Sequence, residues 1–329
     1  RELKRTQLTR RNLVLFNKMG KTKTGSNKVS SPSDSSDRAT TTTKTISTTS
    51  SGFEARAYQN GIIGPRYSKP PTNIREIEGQ HARPRETASP TESEHKRYAC
   101  TISKAGNKAT VVVEVSEKLL KKYDDDDGYV RSFNRAFTGF PKDVGFNNGL
   151  SAPQPDFVEG PEMQEYRPFP IHEYVPGAVL YKDDRYSVTL PHLAGEWKGP
   201  DVNIAEATLQ SGYDGAALVY ARNQALEFIG KPDPPGHGEV RTFTTDGTNI
   251  NFYVHYAVPS EGGDGTLEYH QYQYASANVK DTYQGHKDGR RGIRNEQDYA
   301  RDQSYALKDQ LKLHWKQRHG VCQTITEEA

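Results

Sequence analysis

Residues 190–230, LPHLAGEWKGPDVNIAEATLQSGYDGAALVYARNQALEFIG, contain the pattern that decides the fold. Residues 192–198 predict a short strand, and residues 203–229 place apolar side chains at helical spacing with many alanines between them. An Asp or Asn that can cap the helix precedes it, and a Gly and a Pro follow its last turn. The segment therefore predicts a strand that leads into a long helix packed closely on a sheet.

The predicted strand ends in the triplet Glu196-Trp197-Lys198. Side chains two apart in a strand project to the same face, so Glu196 and Lys198 should point together while Trp197 turns into the opposite layer. Forty positions before Glu196 lies the pair Pro155-Asp156, and Asp156 can join them from a neighbouring strand. We expect the three polar side chains to converge in a cleft open to solvent.

This combination of side chains suits one kind of chemistry. Two carboxylates, a carbonyl and water molecules provide the oxygen ligands that Mg²⁺ or Mn²⁺ prefers. A neighbouring ammonium group can orient or activate a water and stabilise the negative charge that develops on a phosphate under attack. The residues predict metal-dependent hydrolysis of phosphodiester bonds, with Asp156 and Glu196 as metal ligands and Lys198 positioning the water.

The same three residues carry a resemblance to a known family. With Asp156 and Glu196 in the two acidic positions and Lys198 as the lysine, the chain resembles the PD-(D/E)xK nuclease superfamily of restriction endonucleases, Holliday-junction resolvases and RecB-type exonucleases. The resemblance covers about residues 116–245. It implies a restriction-endonuclease-like core with the order helix, three strands, helix, strand, and a nucleic acid substrate, DNA rather than RNA.

Two further site residues follow from this resemblance alone. RecB-type members carry a Gln and a Tyr four residues apart on the helix after the lysine; here Gln210 and Tyr213 are three apart. The resemblance gives Gln210 a role in orienting the site. Family members often have a glutamate on the first helix, and Glu117 is the nearest candidate. The stretch 190–200 is also typical of fungal proteins, which adds no activity to the prediction.

Two alternatives remain open from the residues themselves. Pro155-Asp156 can be an ordinary turn, with Glu196 and Lys198 a solvated pair on an exposed strand of an unrelated α/β domain. Alternatively, the chain keeps the nuclease-like fold without catalysis and binds a protein partner through its acidic surface.

Composition divides the chain into two parts. Residues 1–97 contain four of the 32 aromatic residues and the Ser/Thr-rich tract 30–51, so they predict a disordered leader. They carry 19 Lys or Arg and nine Asp or Glu, which gives a net charge of +10. Residues 98–329 have a net charge of −8. A basic leader suits contact with nucleic acid or an import receptor, or it is a solvated linker. Residues 98–329 are expected to form one domain, and the protein to be intracellular, nuclear or cytoplasmic.

The rest of the chain predicts a mixed α/β sheet with helices on its faces, extended by a C-terminal hairpin and helix. The predicted strands are residues 109–115, 156–158, 178–181, 186–190, 239–245, 249–258 and 267–275; the predicted helical stretches are residues 116–123, 129–137 and 281–318.

One basic cluster stands out in the acidic part of the chain, at Lys287, Arg290, Arg291 and Arg294. It can hold a phosphate backbone or mark the start of a solvated helix. The tyrosine-rich strands between residues 251 and 274 can stack nucleic acid bases, but such tyrosines more often fill one face of a sheet.

Other classes of protein are excluded or disfavoured. No run of apolar residues approaches the 18 or so that a transmembrane helix needs, so no membrane partner is expected. Cys100 and Cys322 lie far apart in the sequence, which excludes a disulfide scaffold and a thiolate zinc site. His192, His255 and His270 are expected to be polar positions on half-buried strands rather than zinc ligands.

Overall fold

The computed structural model describes residues 45–200, 202–262 and 265–320. Within them the helices are α1 (Phe53–Gln59), α2 (Ile74–His81), α3 (Glu92–Ser103), α4 (Lys108–Lys118), α5 (Ile171–Tyr174), α6 (Ile204–Phe228) and α7 (Tyr283–Arg318). The strands are β1 (Ile62–Ile63), β2 (Tyr129–Phe133), β3 (Phe157–Pro161), β4 (Leu193–Trp197), β5 (Val240–Thr245), β6 (Asn249–Pro259) and β7 (Leu267–Asn278).

These strands form one sheet in the order β1-β7-β6-β5-β4-β3-β2. β1 pairs with β7 and β4 pairs with β5 in parallel, and the other neighbours are antiparallel. A parallel pair needs a long crossover, and α6 provides it between β4 and β5. The predicted mixed α/β sheet flanked by helices is confirmed, and so are the predicted strand at 192–198, the long helix after it and the C-terminal hairpin and helix.

Helix α6 packs on one face of the sheet. Asn203 caps it by accepting a hydrogen bond from the backbone N–H of Ala205 at 2.9 Å. Most of the helix is buried in a core with β3, β4 and β5, through residues such as Val158, Ala194 and Val240. The small residues on α6 let it approach the sheet closely. A Cβ atom at Gly215 would lie 2.2 Å from Nδ1 of His255 on β6.

The opposite face of the sheet carries a second core, covered by α3, α4 and α7. Trp197 is fully buried there and packs edge-on against Phe157 and Phe243, with ring centroids 5.7 and 5.2 Å away. The predicted alternation along β4 is therefore confirmed. Trp197 faces one layer, which leaves Glu196 facing α6 on the other.

The predicted disordered leader is wrong for residues 45–97. Residues 1–44 lie outside the described part of the chain, but α1, β1 and α2 pack onto the sheet. Ile62 pairs with Tyr269, and Phe53 is fully buried with its ring 5.4 Å from that of Tyr213. The average composition misled because a segment that docks on an existing core needs only a few apolar anchors to offset its ordering entropy.

Two local predictions are also wrong. Residues 109–115, predicted as a strand from their valines, belong to helix α4, because Val111 and Val115 lie four apart and are both fully buried. Asn107 caps that helix by accepting from the backbone N–H of Thr110 at 3.0 Å. Residues 129–137, predicted as helical, contain strand β2, which pairs with β3. Tertiary packing outweighed local propensity in both cases.

The segment 178–190 is less regular than predicted. In place of its two expected strands it has isolated bridges, between Val179 and Thr189 and between Val188 and Glu162. Among the described residues, no helix is long and apolar enough to span a membrane.

The approach of α6 to β6 yields a stability prediction. Gly215→Ala should lower the free energy of unfolding by about 1–3 kcal/mol, because the added methyl group overlaps the buried ring of His255. Gly79→Ala is the matched control: Gly79 lies in helix α2 with open space around its Cβ position, and alanine there should stabilise by up to about 1 kcal/mol. Urea denaturation of both variants measures the difference; equal midpoints would contradict the close approach.

Candidate active site

Asp156 lies directly before strand β3 and is 7% exposed. One carboxylate oxygen, Oδ2, accepts a hydrogen bond of 2.7 Å from the backbone N–H of Trp197. The other, Oδ1, accepts one of 2.6 Å from Nζ of Lys108, at the start of α4. The structure therefore brings Asp156 against the triplet at the end of β4, as the sequence predicts.

Glu196 is the second carboxylate of this cluster. It lies on β4 and is 3% exposed. Its carboxyl group lies beside those of Asp156 and of Asp214, on α6. Asp214 is 2% exposed, and its Oδ2 is buried without a hydrogen-bond partner among the described residues. Three carboxyl groups thus share one buried space between the sheet and α6.

Burial changes how readily Glu196 and Asp214 ionise. Desolvation raises the pKa of Glu196 well above its usual value, and the nearby charges of Asp214 and Asp156 raise it further, while the Lys108 ammonium lowers it in part. Burial also raises the pKa of Asp214 to about 8. At neutral pH Asp214 therefore holds a proton that a bound cation would displace.

Lys198 directly follows β4 and is 7% exposed. Its Nζ donates a 2.7 Å hydrogen bond to Oε1 of Gln210 and lies 3.5 Å from Oε1 of Glu206. Gln210 and Glu206 are one turn apart on α6, so the helix holds the ammonium from the side facing the sheet. The structure brings Lys198 and Gln210 together. Glu196 and Lys198 are both buried, which is inconsistent with the alternative that they form a solvated pair on an exposed strand.

The expected cleft open to solvent is not present in this form. Asp156, Glu196 and Lys198 are all buried. The more exposed groups around them are Lys108 and Glu206, whose side chains are 41% and 42% exposed. The reason is the helix packing, since α4 and α6 both begin at this end of the sheet and their first turns cover the carboxyl groups.

Sequence reasoning missed two members of this cluster. Asp214 lies four residues after Gln210, so the helical spacing places both on one face of the helix. The family pattern pointed to the neighbouring Tyr213 instead. The hydroxyl of Tyr213 donates to the backbone carbonyl of Ser151 at 2.7 Å and belongs to a different contact. Lys108 gave no signal, because its segment reads as a strand and lies 48 residues before Asp156.

The donor set can be compared with what a cation needs. Among residues 45–320, apart from the three that are not described, no group of three or more His, Cys, Asp or Glu side chains is arranged as a ready-made metal site. Mg²⁺ usually takes one or two carboxylates and keeps several waters, so Asp156 and Glu196 fit it by chemistry. The unpartnered oxygen of Asp214 adds an acceptor beside them. Lys108 supplies the positive charge on Asp156 that such a cation would replace.

The predicted basic cluster lies elsewhere. Arg290 and Arg294 donate hydrogen bonds to the backbone carbonyls of Lys118, the last residue of α4, and of Leu119. They lie at the opposite end of α4 from Lys108, about 16 Å away for an 11-residue helix. With Lys287, Arg291 and Arg85, they line a cavity of about 230 Å³. Burial and the neighbouring guanidinium groups lower the pKa of Arg294 to about 10, so this cavity favours an anion.

The remaining sequence candidates do not join the site. Glu117 is exposed on α4, with Lys118 3.9 Å away. His192 is buried between Ser304 and Arg222, at 2.8 and 2.9 Å, and serves the core.

No protein-family model matches this chain, and no curated protein matches it in sequence. The site is therefore interpreted from its own geometry.

The buried carboxyls predict a pH dependence of stability without added metal. A folded-state pKa of about 8 for Asp214, above its value of 3.8 in an exposed carboxyl, means that the folded state retains a proton which the unfolded state releases. Stability should fall as pH rises from about 4 to 8, by about 1.4 kcal/mol for each unit of pKa difference. Asp214→Asn should remove much of this fall, measured by urea unfolding in EDTA.

The matched control for this measurement is Asp309→Asn, at a carboxylate that is 74% exposed. It should follow the unsubstituted protein at every pH. Parallel curves for Asp214→Asn and the unsubstituted protein would show that Asp214 is ionised in the fold, contrary to this account.

Proposed function

We propose that this protein hydrolyses phosphodiester bonds in nucleic acid with the help of Mg²⁺ or Mn²⁺, on a restriction-endonuclease-like core. The observation that carries the proposal is the 2.7 Å hydrogen bond from the backbone N–H of Trp197 to Asp156, which joins Asp156 to the strand end that carries Glu196 and Lys198. This is the constellation that the PD-(D/E)xK resemblance requires. DNA is the substrate that the resemblance favours.

The order of elements supports the same proposal. Apart from the short helix α5 between β3 and β4, helix α4, strands β2, β3 and β4, helix α6 and strand β5 follow one another as helix, three strands, helix, strand. The three strands are consecutive antiparallel neighbours, and α6 crosses over to place β5 parallel to β4. The acidic residues then lie at the adjacent ends of β3 and β4.

Each side chain has a role in this proposal. Asp156 and Glu196 would hold the cation, and Asp214 would orient Glu196. The bound cation supplies positive charge that polarises the phosphate and lowers the pKa of an attacking water. Lys198 would position that water and stabilise negative charge on the phosphate, and Gln210 would fix the ammonium of Lys198 through its 2.7 Å hydrogen bond.

The arginine-lined cavity would supply contacts to phosphates away from the scissile bond. Its lining contains Lys287 and Arg291 beside Arg290 and Arg294, with Asp288 as a carboxylate. Nε of Arg291 is buried without a partner among the described residues, so it retains a donor for an anion.

One observation favours the alternative of a non-catalytic module that binds a protein partner. The Lys108 ammonium lies 2.6 Å from both oxygens of Asp156, where a cation would otherwise provide the charge. A nuclease-like fold that has lost catalysis can be stabilised in this way, because the lysine neutralises the buried carboxylate.

Cleavage of plasmid DNA tests the hydrolase directly. The protein should nick plasmid with Mg²⁺ and fail to do so in EDTA. Lys198→Ala should lower the rate by about 100-fold or more, because it removes the group that stabilises charge on the phosphate. Lys316→Ala, an exposed position near the end of α7, removes the same charge and should cut normally. Undiminished cutting by Lys198→Ala would point to a contaminating nuclease.

Thermal unfolding with Mn²⁺ separates the two functions without measuring cleavage. Mn²⁺ should raise the melting temperature, because binding adds about 2.7 kcal/mol of stability at a Mn²⁺ concentration of 100 times Kd. The rise should be larger at pH 8 than at pH 6, because the cation competes with protons on Glu196 and Asp214. Asp156→Asn should lose the effect and Asp309→Asn should keep it. A melting temperature that Mn²⁺ leaves unchanged at both pH values would favour the non-catalytic module.

A further inference from the structure

A row of polar side chains runs across the sheet from the candidate active site. Glu196 on β4 is opposite Thr244 on β5, and Thr244 is opposite Asn251 on β6. Nδ2 of Asn251 donates to Oγ1 of Thr244 at 3.3 Å, and Nε2 of Gln273 on β7 donates to Oδ1 of Asn251 at 3.5 Å. The row crosses three inter-strand distances, from β4 to β7, and is therefore about 14 Å long.

The row ends in a groove with a volume of about 900 Å³, between the sheet, α1 and the first turns of α6. Asn251, Gln271 and Gln273 contribute amide groups to it. Tyr253 and Thr208 also line it, and Tyr253 separates it from the carboxyl cluster, since its hydroxyl is 3.2 Å from Thr208 and 3.5 Å from Thr244. The groove therefore lies next to the candidate active site.

The outer wall of the groove carries exposed aromatic rings. Tyr58 is 63% exposed and Tyr67 is 66% exposed, and the guanidinium of Arg66 lies 5.5 Å from the centre of the Tyr67 ring. Exposed aromatic side chains lose apolar contact with water when a flat ligand stacks on them. Their position beside a row of amides makes one wall suited to stacking and the floor suited to hydrogen bonding.

The charge of the groove suits a nucleobase better than a phosphate. Its ionisable lining residues are Glu54 and Arg66, so their formal charges cancel. A phosphate prefers the arginine-lined cavity at the other end of α4. A nucleobase, which is uncharged and has a flat face and a polar edge, matches the tyrosines and the amides.

We propose that this groove binds an unpaired nucleobase next to the scissile phosphodiester, and hence that the substrate is single-stranded nucleic acid, an unpaired end or a locally unpaired stretch of a supercoiled duplex. The proposal rests on the proposed function, because it is the nearby carboxyl cluster that makes a nucleic acid strand the occupant. The base must be unpaired for its face to reach Tyr67. The tyrosines of the sheet do not provide this platform, since Tyr253, Tyr256 and Tyr269 are 1%, 4% and 6% exposed and fill the sheet face.

Binding of a labelled single-stranded 12-mer to the full chain in EDTA, followed by fluorescence anisotropy, tests the groove without requiring cleavage. Tyr67→Ala should raise Kd by about 5- to 100-fold, because it removes the stacking of one base. Tyr186→Ala is the matched control: Tyr186 is 51% exposed and the guanidinium of the preceding Arg185 lies 4.4 Å from its ring, but it is outside the groove. Its Kd should not change.

The outcomes separate this inference from the proposed function. Equal Kd values for Tyr67→Ala and Tyr186→Ala would contradict base binding in the groove. Undiminished binding of a strand whose bases have been removed would contradict it too. Metal-dependent cutting together with equal Kd values would support the hydrolase and reject the groove. Loss of binding in Tyr67→Ala without any cutting by the unsubstituted protein would support base binding and reject the hydrolase. Tighter binding of the corresponding duplex would reject the unpaired base.

Discussion

The hydrogen bond from the backbone N–H of Trp197 to the carboxylate of Asp156 is the contact on which the candidate site depends. It joins the residue before β3 to the end of β4, where the two strands are antiparallel neighbours. Because Trp197 is locked into the aromatic core on one face, Glu196 must face α6 on the other. One bond and one buried ring thus set the positions of two carboxyls.

Burying three carboxyl groups together is unfavourable for folding. Charged groups lose hydration there, so burial raises the pKa of Glu196 and of Asp214, and Lys108 lies against Asp156. Glu159 shows the contrast: it is also fully buried, with a pKa raised to about 7, but Arg131 and Gln297 bind its carboxyl. The unpartnered oxygen of Asp214 has no such structural explanation, and this is why the cluster is a better candidate for function.

The two binding regions that we propose differ in charge and in their distance from this cluster. The arginine-lined cavity is strongly positive and lies at the far end of α4, whereas the groove beside Tyr253 has no net charge and adjoins the carboxyls through the row ending at Gln273. A nucleic acid strand has a charged backbone and uncharged bases, so it can use both. The segment 53–67 provides one wall of the groove, although its composition alone suggested disorder.

The sequence by itself determined the strand at 192–198, the helix after it, and the sides to which Glu196 and Trp197 point, because these follow from local spacing and capping. It also indicated Asp156 and Lys198 through their chemistry and spacing, and Gln210 through a family resemblance. Only the tertiary structure decided that Asp214 and Lys108 join them, that the carboxyls are buried, and that residues 45–97 are ordered. These depend on which distant surfaces pack together, and a valine-rich stretch such as 109–115 takes its conformation from the surface it covers.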